Sequence, residues 1–451
     1  MAKNIESKSS GESVMQPTIT GSRNHLTPNK PYAVVDVGST KIAIAVLNMD
    51  ENPQLIYGCA STKTTAVTKG KVTDIDVLSN NISETLKKAL NSNEIPNEIP
   101  GIVSISGTHV KGVNEIESLT LNNSHGVITF EDINSGITNK YGYNNNPHSS
   151  RRVINEHHIN YILDGEHAVI NPIGMHSQDI KIKKHIISGD ISEVEKLESA
   201  AKKAGVDVRG LVHGGTASSL ATIKNANKTD NLIMLDIGGG TTDISIYESN
   251  CLIYSSVLPI GGFNFSNDIA LALGIDYTQA ENIKIRHGLT DIYKPSVLDS
   301  FKINLADSKV IEIPVLDLCQ IMKERAQELA GLILMEIESS GITNLKNCAL
   351  TGGSSQIDGI DKILTKTLQL KTNLCRPSEN QYLTSEYLSP EYSTLAGMTT
   401  QIIDSKPKLL NMNSNNFEKL TQMSKLPIIN KTSTKIKKLI KKPYLKSVRG
   451  K

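Results

Sequence analysis

The sequence contains no tryptophan, and only 4% of its 451 residues are aromatic. Proteins that bind single-stranded nucleic acid stack the bases on aromatic side chains. The composition therefore argues against such a protein, and we expect no nucleic-acid partner. With 38% hydrophobic and 21% charged residues, the chain has the composition of a soluble globular protein, long enough for about three domains.

Long apolar runs are also missing. The longest, Leu329 to Met335, falls far short of the roughly 18–20 residues that a membrane-spanning helix needs. Residues 1–30 are polar, lack the apolar segment of a secretory signal and are expected to be disordered. The five cysteines are widely spaced without a CxxC pair, which favours reduced thiols over disulfides or a zinc site.

Acidic residues are absent from the end of the chain. Residues 431–451 contain nine Lys or Arg and no Asp or Glu. Without these nine, the remainder has a net charge of −7, although the whole chain sums to +2. This separation predicts an acidic folded body and a basic tail, joined by a linker at 404–434 that is rich in Asn, Ser and Lys.

The basic tail has the pattern of a short amphipathic helix. Ile436, Leu439 and Ile440 fall on one face of a helix, and lysines occupy the rest of its circumference. Pro443 ends or kinks the segment. This pattern predicts a helix that lies in the interface of an anionic membrane; a solvated or nucleic-acid-binding tail is the alternative. The residues expected at the membrane are Ile436, Lys437, Lys438, Leu439, Ile440, Lys441, Lys442, Tyr444 and Leu445.

Two segments of the body, 200 residues apart, share one strand–turn–strand pattern. The first turn is Asp36-Val37-Gly38-Ser39-Thr40, and the second is Asp236-Ile237-Gly238-Gly239-Gly240-Thr241. In both, an Asp ends an apolar strand, Gly and hydroxyl residues follow, and a second strand returns. The repeat predicts two similar α/β domains that face each other with a ligand between them.

The composition of the two turns is typical of phosphate binding. Small residues let backbone N–H groups and hydroxyls approach an anion closely. Asp36, Asp236 and Asp243 would repel phosphate directly, but they can hold Mg²⁺ through water beside it. Both turns lead into a strand and not a helix, which excludes a Rossmann loop, and no GxxxxGK[ST] motif occurs. Together the turns predict a bound nucleotide.

Apolar periodicity predicts most of the other elements. Helices are expected at 76–90, 191–204, 265–273, 278–286 and 318–339, and short strands at 102–105 and 180–187. A third strand–turn–helix unit is expected with its strand at 348–350 and its helix at 357–364. Residues 110–165 show only weak periodicity, so no element is predicted there, and His157 and His158 are interpreted as solvated loop residues.

These motifs resemble those of the actin-like superfamily, which includes actin and the sugar kinases. The two turns are similar to its phosphate 1 and phosphate 2 motifs, and Leu350-Thr351-Gly352-Gly353-Ser354-Ser355 is similar to its adenosine motif. Within the superfamily, residues 31–451 most resemble the FtsA family of bacterial cell-division proteins. Supporting segments are Ala280 to Gly288, with its E-x-x-K pattern at Glu281 and Lys284, and Tyr392 to Gly397.

The resemblance implies an α/β, actin-like (ribonuclease H-like) fold of two domains with a nucleotide cleft, a 1C subdomain particular to this family and a flexible basic C-terminal tail. The implied units are 1–30 as a disordered N-terminus, 31–100 and 183–230 as subdomain 1A, 101–182 as subdomain 1C, 231–258 and 341–403 as subdomain 2A, 259–340 as subdomain 2B, 404–434 as linker and 435–451 as the amphipathic membrane-targeting tail.

The resemblance further implies ATP and Mg as cofactors, with Mg held through water near Asp36 and Asp236. The residues expected to bind the cofactor are Asp36, Gly38, Ser39, Thr40, Lys41, Asp236, Gly238, Gly239, Gly240, Thr241, Thr242, Glu281, Lys284, Gly352, Gly353 and Ser354. No catalytic residue is assigned. The stretch 211–219 near the expected γ-phosphate has no Glu, Asp or Gln, and its His213 is interpreted as structural. We therefore expect weak ATPase activity or none, with ATP as a structural ligand or polymerisation switch.

The implied function is that of an ATP-binding adaptor in the divisome. Such a protein anchors filaments of the tubulin homologue FtsZ, the Z ring, to the cytoplasmic face of the inner (cell) membrane at the division septum. It is a peripheral membrane protein that binds the FtsZ C-terminal peptide through subdomain 2B, recruits later division proteins through 1C and self-associates into actin-like filaments. The alternatives are another actin-like scaffold, such as a PilM-type pilus-assembly protein, and a kinase of the same superfamily.

Overall fold

The computed structural model of the protein describes residues 30–49, 56–95, 98–119, 126–133, 150–223, 231–295, 299–304, 310–378 and 383–409. The segment before residue 30 lies outside the described residues. So do the linker beyond residue 409 and the whole predicted membrane-targeting tail.

The described residues form strands and helices that alternate along the chain. The strands are β1 (Pro31–Val37), β2 (Lys41–Asn48), β3 (Ile56–Lys63), β4 (Val67–Thr68), β5 (Lys71–Val72), β6 (Ile99–Ile105), β7 (Val110–Leu119), β8 (Arg151–Leu163), β9 (His167–Val169), β10 (Ile180–Asp190), β11 (Val206–His213), β12 (Leu232–Ile237), β13 (Thr242–Glu248), β14 (Cys251–Leu258), β15 (Ser300–Asn304), β16 (Val310–Pro314), β17 (Asn347–Thr351) and β18 (Lys371–Leu374). The helices are α1 (Ile75–Leu90), α2 (Ile191–Lys203), α3 (Gly214–Thr222), α4 (Gly262–Leu273), α5 (Tyr277–His287), α6 (Val315–Ser339), α7 (Ile360–Leu368) and α8 (Ser393–Leu409).

Two five-stranded sheets have the same topology. The first has the order β11-β6-β1-β2-β3 and the second β18-β17-β12-β13-β14. In each, a central strand pairs antiparallel with its hairpin partner, and that partner pairs antiparallel with the next strand. On the other side of the central strand, two parallel strands complete the sheet. The repeated turn therefore marks a repeated domain, which confirms the predicted pair of α/β domains.

The helix α1 shows how the local sequence produces these elements. The Asp74 side chain accepts hydrogen bonds from the backbone N–H groups of Asp76 and Val77, which caps the helix N-terminus. Leu78, Ile82 and Leu86 repeat every four residues and are fully buried in the core of the first domain. The periodicity seen in the sequence is therefore the face that packs on the sheet.

A separate four-stranded sheet, with the order β7-β10-β8-β9, is inserted in the first domain. The sequence did not predict β7 and β8, and the interpretation of His157 as solvated was wrong, because this side chain is buried in β8. The reason is that β8 buries polar residues that have partners. Glu156 lies 3.5 Å from the ammonium of Lys184 on β10. The strand is therefore buried although its sequence lacks the alternation of apolar and polar residues that predicts a strand.

Two of the predicted domain boundaries differ from those in the structure. β6 pairs with β1 and β11 in the first sheet, so the inserted unit does not begin at residue 101 but with β7. α8 was assigned to subdomain 2A, but its Leu395 and Met398 pack in one core with Tyr32 of β1. The chain therefore crosses back to the first domain before residue 393. In the third predicted unit, residues 353–356 form a 3-10 turn, and the helix begins only at Ile360.

The remaining elements extend the second domain. α4, α5 and α6 and the hairpin of β15 and β16 lie in the region predicted as subdomain 2B, and α4, α5 and α6 share a hydrophobic core with the second sheet. None of the helices in the described ranges is long and apolar enough to cross a membrane. All five cysteines are free thiols, as predicted.

The contact between α3 and α8 generates a test of the packing. An ideal Cβ on Gly397 would lie 1.7 Å from the carbonyl oxygen of Ala217. We expect Gly397→Ala to lower the free energy of unfolding by about 1–3 kcal/mol, since the two helices would have to separate. Urea denaturation followed by circular dichroism measures the change.

Gly331 is the matched control, because it lies inside α6 and nothing lies within 4 Å of an added Cβ. Gly331→Ala should be neutral or stabilising by up to about 1 kcal/mol. Equal stability of Gly397→Ala and the parent protein would show that the close contact of α3 and α8 does not exist in solution.

Candidate functional site

The two predicted turns have the same backbone geometry. The N–H of Gly38 donates to the carbonyl oxygen of Lys41, and the N–H of Gly238 donates to that of Thr241, both at 2.9 Å. Each turn lies at the carboxyl end of the central strand of its sheet. The structure thus places equivalent turns of the two domains at equivalent positions.

The two turns face each other in direct contact. A Cβ added to Gly239 would lie 2.4 Å from Cγ2 of Thr40, and one added to Gly240 would lie 2.5 Å from Oγ of Ser39. A side chain at either glycine would therefore have to displace Thr40 or Ser39 of the first turn. The predicted residues Ser39, Thr40, Gly239 and Gly240 are brought together as one site.

Three aspartates of the turns face the space where the domains meet. Burial raises the pKa of Asp36, and the charge of Asp243 raises it further. The pKa of Asp236 is raised to about 7, first by burial and next by repulsion from Asp243. The carboxyl groups of Asp36 and Asp236 are therefore poorly solvated and lie close enough to Asp243 to be affected by its charge.

Hydroxyl groups partly compensate for this negative charge. The Ser104 hydroxyl donates to Oδ1 of Asp36 at 2.8 Å, and the Ser106 hydroxyl lies 2.6 and 2.7 Å from the two oxygens of Asp243. The Thr394 hydroxyl lies 3.5 Å from Asp236. Sequence reasoning missed these serines, although Ser104 lies near the carboxyl end of β6 and Ser106 directly after it. β6 is parallel to β1, and the carboxyl ends of parallel strands meet at one edge of a sheet.

His213 is the fourth titratable group at this point. It is buried at the end of β11, with Nε2 3.2 Å from Oδ1 of Asp243. Its backbone N–H donates to Oδ1 of Asn155 on β8 at 2.8 Å. The interpretation of His213 as a structural residue agrees with this burial.

The residues predicted to contact adenosine form a second cluster beside the second turn. The Lys284 ammonium lies 2.7 Å from Oε2 of Glu281 and 3.0 Å from the carbonyl oxygen of Gly262, and burial lowers its pKa. The Ser354 hydroxyl donates to the carbonyl oxygen of Gly238 at 2.9 Å. Gly262 donates its N–H to the same carbonyl at 3.0 Å, so the helix α4, the turn and the adenosine motif are joined at one atom.

Gly352 shows why the adenosine motif needs a glycine. Its φ of 91° is unfavourable for any residue with a side chain, and an added Cβ would lie 2.3 Å from Oδ1 of Asp236. The N–H of Gly352 donates to the carbonyl oxygen of Pro390 at 3.2 Å. This residue therefore fixes the adenosine motif against both the second turn and the segment that leads into α8.

Lys41, at the end of the first turn, is also part of the site. Its ammonium lies 2.9 Å from Oε2 of Glu391 and 3.5 Å from the centre of the Tyr392 ring. The remaining predicted binding residue at the second hairpin, Thr242, is buried, and its hydroxyl donates to the carbonyl oxygen of Ile260. Its side chain is thus committed to the fold of the turn and not presented to a ligand.

Family models match two parts of the chain. Residues 233–397 match the model described as cell division protein FtsA, and residues 107–188 match the SHS2 domain inserted in FtsA. Together they cover more than half of the sequence. The second match coincides with the inserted sheet of β7, β8, β9 and β10 and begins after β6, in agreement with the observed boundary.

Curated proteins with the same description are similar to most of the chain. Cell division protein FtsA of Borreliella burgdorferi is 28% identical over 414 residues, which cover 89% of this chain and 96% of that protein. The protein of Buchnera aphidicola from Acyrthosiphon pisum is 27% identical over 81% of this chain and 88% of its own length. The Escherichia coli protein is 24% identical over 82% and 90%.

Solved structures show the same fold at low identity. A PilM–PilN type IV pilus biogenesis complex matches with a TM-score of 0.58 and 16% identity over 82% of this chain and 98% of that chain. MreB5 of Spiroplasma citri bound to AMPPNP matches with a TM-score of 0.51 and 13% identity over 85% and 99%. With a duplicated α/β domain, an actin-like fold and an inserted SHS2 sheet, the chain belongs to the FtsA family of cell division proteins.

Proposed function

We propose that this protein binds Mg·ATP between its two hairpin turns and anchors FtsZ filaments to the cytoplasmic membrane during cell division. The observation that carries the nucleotide site is the contact of two geometrically equivalent, glycine-rich turns at the meeting point of two equivalent domains. Backbone N–H groups and hydroxyls would reach the phosphates from both sides. The solved structure of MreB5 bound to AMPPNP, which shares the fold, supports this assignment.

The adenosine would lie beside the second domain. Glu281 and Lys284 on α5, together with Gly352, Gly353 and Ser354, line the same side of the second turn. A charged pair on a helix offers both a donor and an acceptor to a nucleoside. The phosphates would then extend toward Ser39, Thr40 and Lys41 in the first domain, so the nucleotide would join the two domains.

The aspartates of the cleft fit a hydrated Mg²⁺ ion better than a fully protein-bound metal. In the described part of the chain, no three His, Cys, Asp or Glu side chains form a group that could hold a metal ion by themselves. Mg²⁺ usually keeps several waters and takes its other ligands from phosphates and one or two carboxylates. Asp36 and Asp236, whose pKa values are raised by burial, would regain a favourable charge partner in such an ion.

Hydrolysis in this site would be slow. The stretch from Leu211 to Ser219 forms the end of β11 and the beginning of α3. It offers no Glu, Asp or Gln to orient a water. His213 is buried against Asp243 and is held through its backbone by Asn155. ATP would therefore act mainly as a structural ligand or a switch for self-association into actin-like filaments.

The basic tail would provide the attachment to the membrane. Three aliphatic side chains, partly buried, contribute at most about 5 kcal/mol, and lysines near an anionic leaflet contribute about 1 kcal/mol each. Ordering so short a helix uses much of this free energy. One tail should therefore bind weakly and reversibly, and firm attachment would need several tails on one filament. The protein would then be peripheral at the division site.

Family membership supports the choice of partners. FtsZ would bind through its C-terminal peptide to the region of α4, α5, α6, β15 and β16, and later division proteins would bind the inserted sheet. A PilM-type scaffold is the second candidate, because the PilM–PilN complex shares the fold. The SHS2 match and the FtsA relatives favour cell division, since the likeness to that complex is one of fold alone.

Substitution in the turns tests the nucleotide site. Gly239→Asp should weaken the affinity for Mg·ATP at least 10-fold, because the side chain adds bulk against Thr40 and a charge that repels phosphate. Gly352→Asp should do the same from the adenosine motif. Isothermal titration calorimetry measures the affinity, and thermal unfolding verifies that each variant is folded. Gly331→Asp, inside α6 with open space around an added Cβ, is the control. Unchanged affinity in a folded Gly239→Asp would remove the site assignment.

Asp236→Asn tests separately how this carboxylate affects the stability of the protein and the binding of Mg·ATP. A carboxyl group whose folded-state pKa is raised destabilises the folded protein as the pH rises from the unfolded-state value toward about 7. Without nucleotide, the variant should melt at a higher temperature than the parent at pH 8, and this advantage should shrink as the pH is lowered to 5. With saturating Mg·ATP, the parent should gain more stability than the variant. A variant that is less stable at pH 8 without ligand would contradict the assigned charge repulsion.

Co-pelleting with liposomes tests the anchoring function. The full chain with ATP should carry purified FtsZ into the pellet with anionic liposomes, and deletion of residues 433–451 should leave both proteins in the supernatant while ATP binding is retained. A variant with Ser in place of Ile436, Leu439 and Ile440 keeps the charge of the tail and should bind more weakly, since the apolar contribution is lost; the remaining binding should disappear as salt is raised. Sedimentation of the deletion variant would show that the tail is not the anchor.

A further inference from the structure

The segment from Ser389 to Thr394 connects the two domains and touches both sides of the cleft. Its Pro390 accepts a hydrogen bond from Gly352 of the adenosine motif, and its Thr394 lies 3.5 Å from Asp236 of the second turn. Its Tyr392 hydroxyl lies 3.1 Å from the Ser61 hydroxyl on β3 of the first domain. A ligand in the cleft would therefore lie beside this segment, which we call the crossover segment.

Glu391 is the residue of this segment that reaches the first turn. Its Oε2 lies 2.9 Å from the ammonium of Lys41, while the ring of Tyr392 supports the same ammonium from the other side. The Ser389 hydroxyl lies 3.3 Å from Oε1 of Glu391. The carboxylate is thus held by two groups in the position where it pairs with Lys41.

The position of Glu391 places its charge beside the path of a nucleotide. A Cβ added to Gly353 would lie 3.5 Å from Cβ of Glu391, so the residue packs on the adenosine motif. Its side chain is 41% exposed, whereas that of Lys41 is 22% exposed. The Glu391 side chain can therefore rotate into solvent without disturbing the fold, whereas the more buried Lys41 side chain stays at the first turn.

We propose that Glu391 is a positioning residue that competes with the nucleotide phosphates for Lys41 and so sets the affinity of the cleft for ATP. The proposal rests on the proposed ATP-binding function. An ammonium group that pairs with phosphate must give up part of its contact with Glu391, and a carboxylate left near the phosphates repels them. The ion pair is half-exposed, and such pairs contribute modestly. The expected effect of removing the carboxylate is therefore a gain in affinity of about 3- to 10-fold.

Glu391→Gln tests this without a change of size. In the full chain at low salt, titration calorimetry should show Mg·ATP binding about 3- to 10-fold more tightly to the variant than to the parent, and the gain should fall as salt is added. The affinity for adenosine, which carries no phosphate, should change less than twofold. Glu386→Gln is the control, since this glutamate is exposed on a 3-10 turn five residues earlier and the ion pair of Lys41 is with Glu391. Equal or weaker binding of Mg·ATP by Glu391→Gln, or an equal gain for adenosine, would overturn the proposal.

A second measurement needs no nucleotide. Acylation of Lys41 by an amine-directed reagent, followed by mass spectrometry, should be several-fold faster in Glu391→Gln than in the parent, because the ion pair protects the ammonium. Unchanged reactivity would show that the pair does not form in solution and would end the proposal. If the parent binds no Mg·ATP, the proposed function and this inference fail together; if the parent binds and the variant is identical, only this inference fails.

Discussion

The packing of the first turn on the glycine backbone of the second is the constraint on which the rest of the cleft depends. The side chains of Thr40 and Ser39 occupy the space that a Cβ on Gly239 or Gly240 would need, so the two domains are in direct contact there. This closeness concentrates the charge of Asp36, Asp236 and Asp243 in a poorly solvated space, which raises the pKa of two of them. The hydroxyls of Ser104, Ser106 and Thr394 then follow as necessary donors, since buried carboxylates without partners are costly.

The inserted SHS2 sheet is connected to this cleft by polar contacts and not only by packing. Asn155 on β8 accepts from the backbone of His213, whose ring lies against Asp243. Farther along the interface, His185 on β10 lies 2.8 Å from the Ser255 hydroxyl on β14, and burial lowers the pKa of this histidine to about 4. The inserted sheet thus contacts both domains through β8 and β10. The burial of Asn155 and His185 is explained by these partners, because each forms a hydrogen bond across the interface.

The sequence was informative wherever one segment determines its own structure. The two turns and the buried face of α1 follow from local composition and periodicity. The inserted sheet could not be found in this way, because β8 replaces apolar alternation with Asn155, Glu156 and His157, whose burial depends on partners far away in the chain. The crossover before α8 was missed for a related reason. Nothing local in Ser393 to Ile403 distinguishes packing on the first sheet from packing on the second, and only contacts with β1 decide it.

The charges of the cleft and of the tail indicate how nucleotide binding would control attachment to the membrane. Without a cation, the clustered aspartates oppose the close contact of the domains, and Lys41 is engaged by Glu391. The Mg²⁺ ion of Mg·ATP would place positive charge beside these aspartates, and bound nucleotide would stabilise the closed form more as its concentration rises above Kd. A protein that assembles only when closed would then present several basic tails together. Because one such tail would bind weakly, attachment to the membrane would follow assembly steeply, so that a small change in the occupancy of the cleft would control where the protein is found.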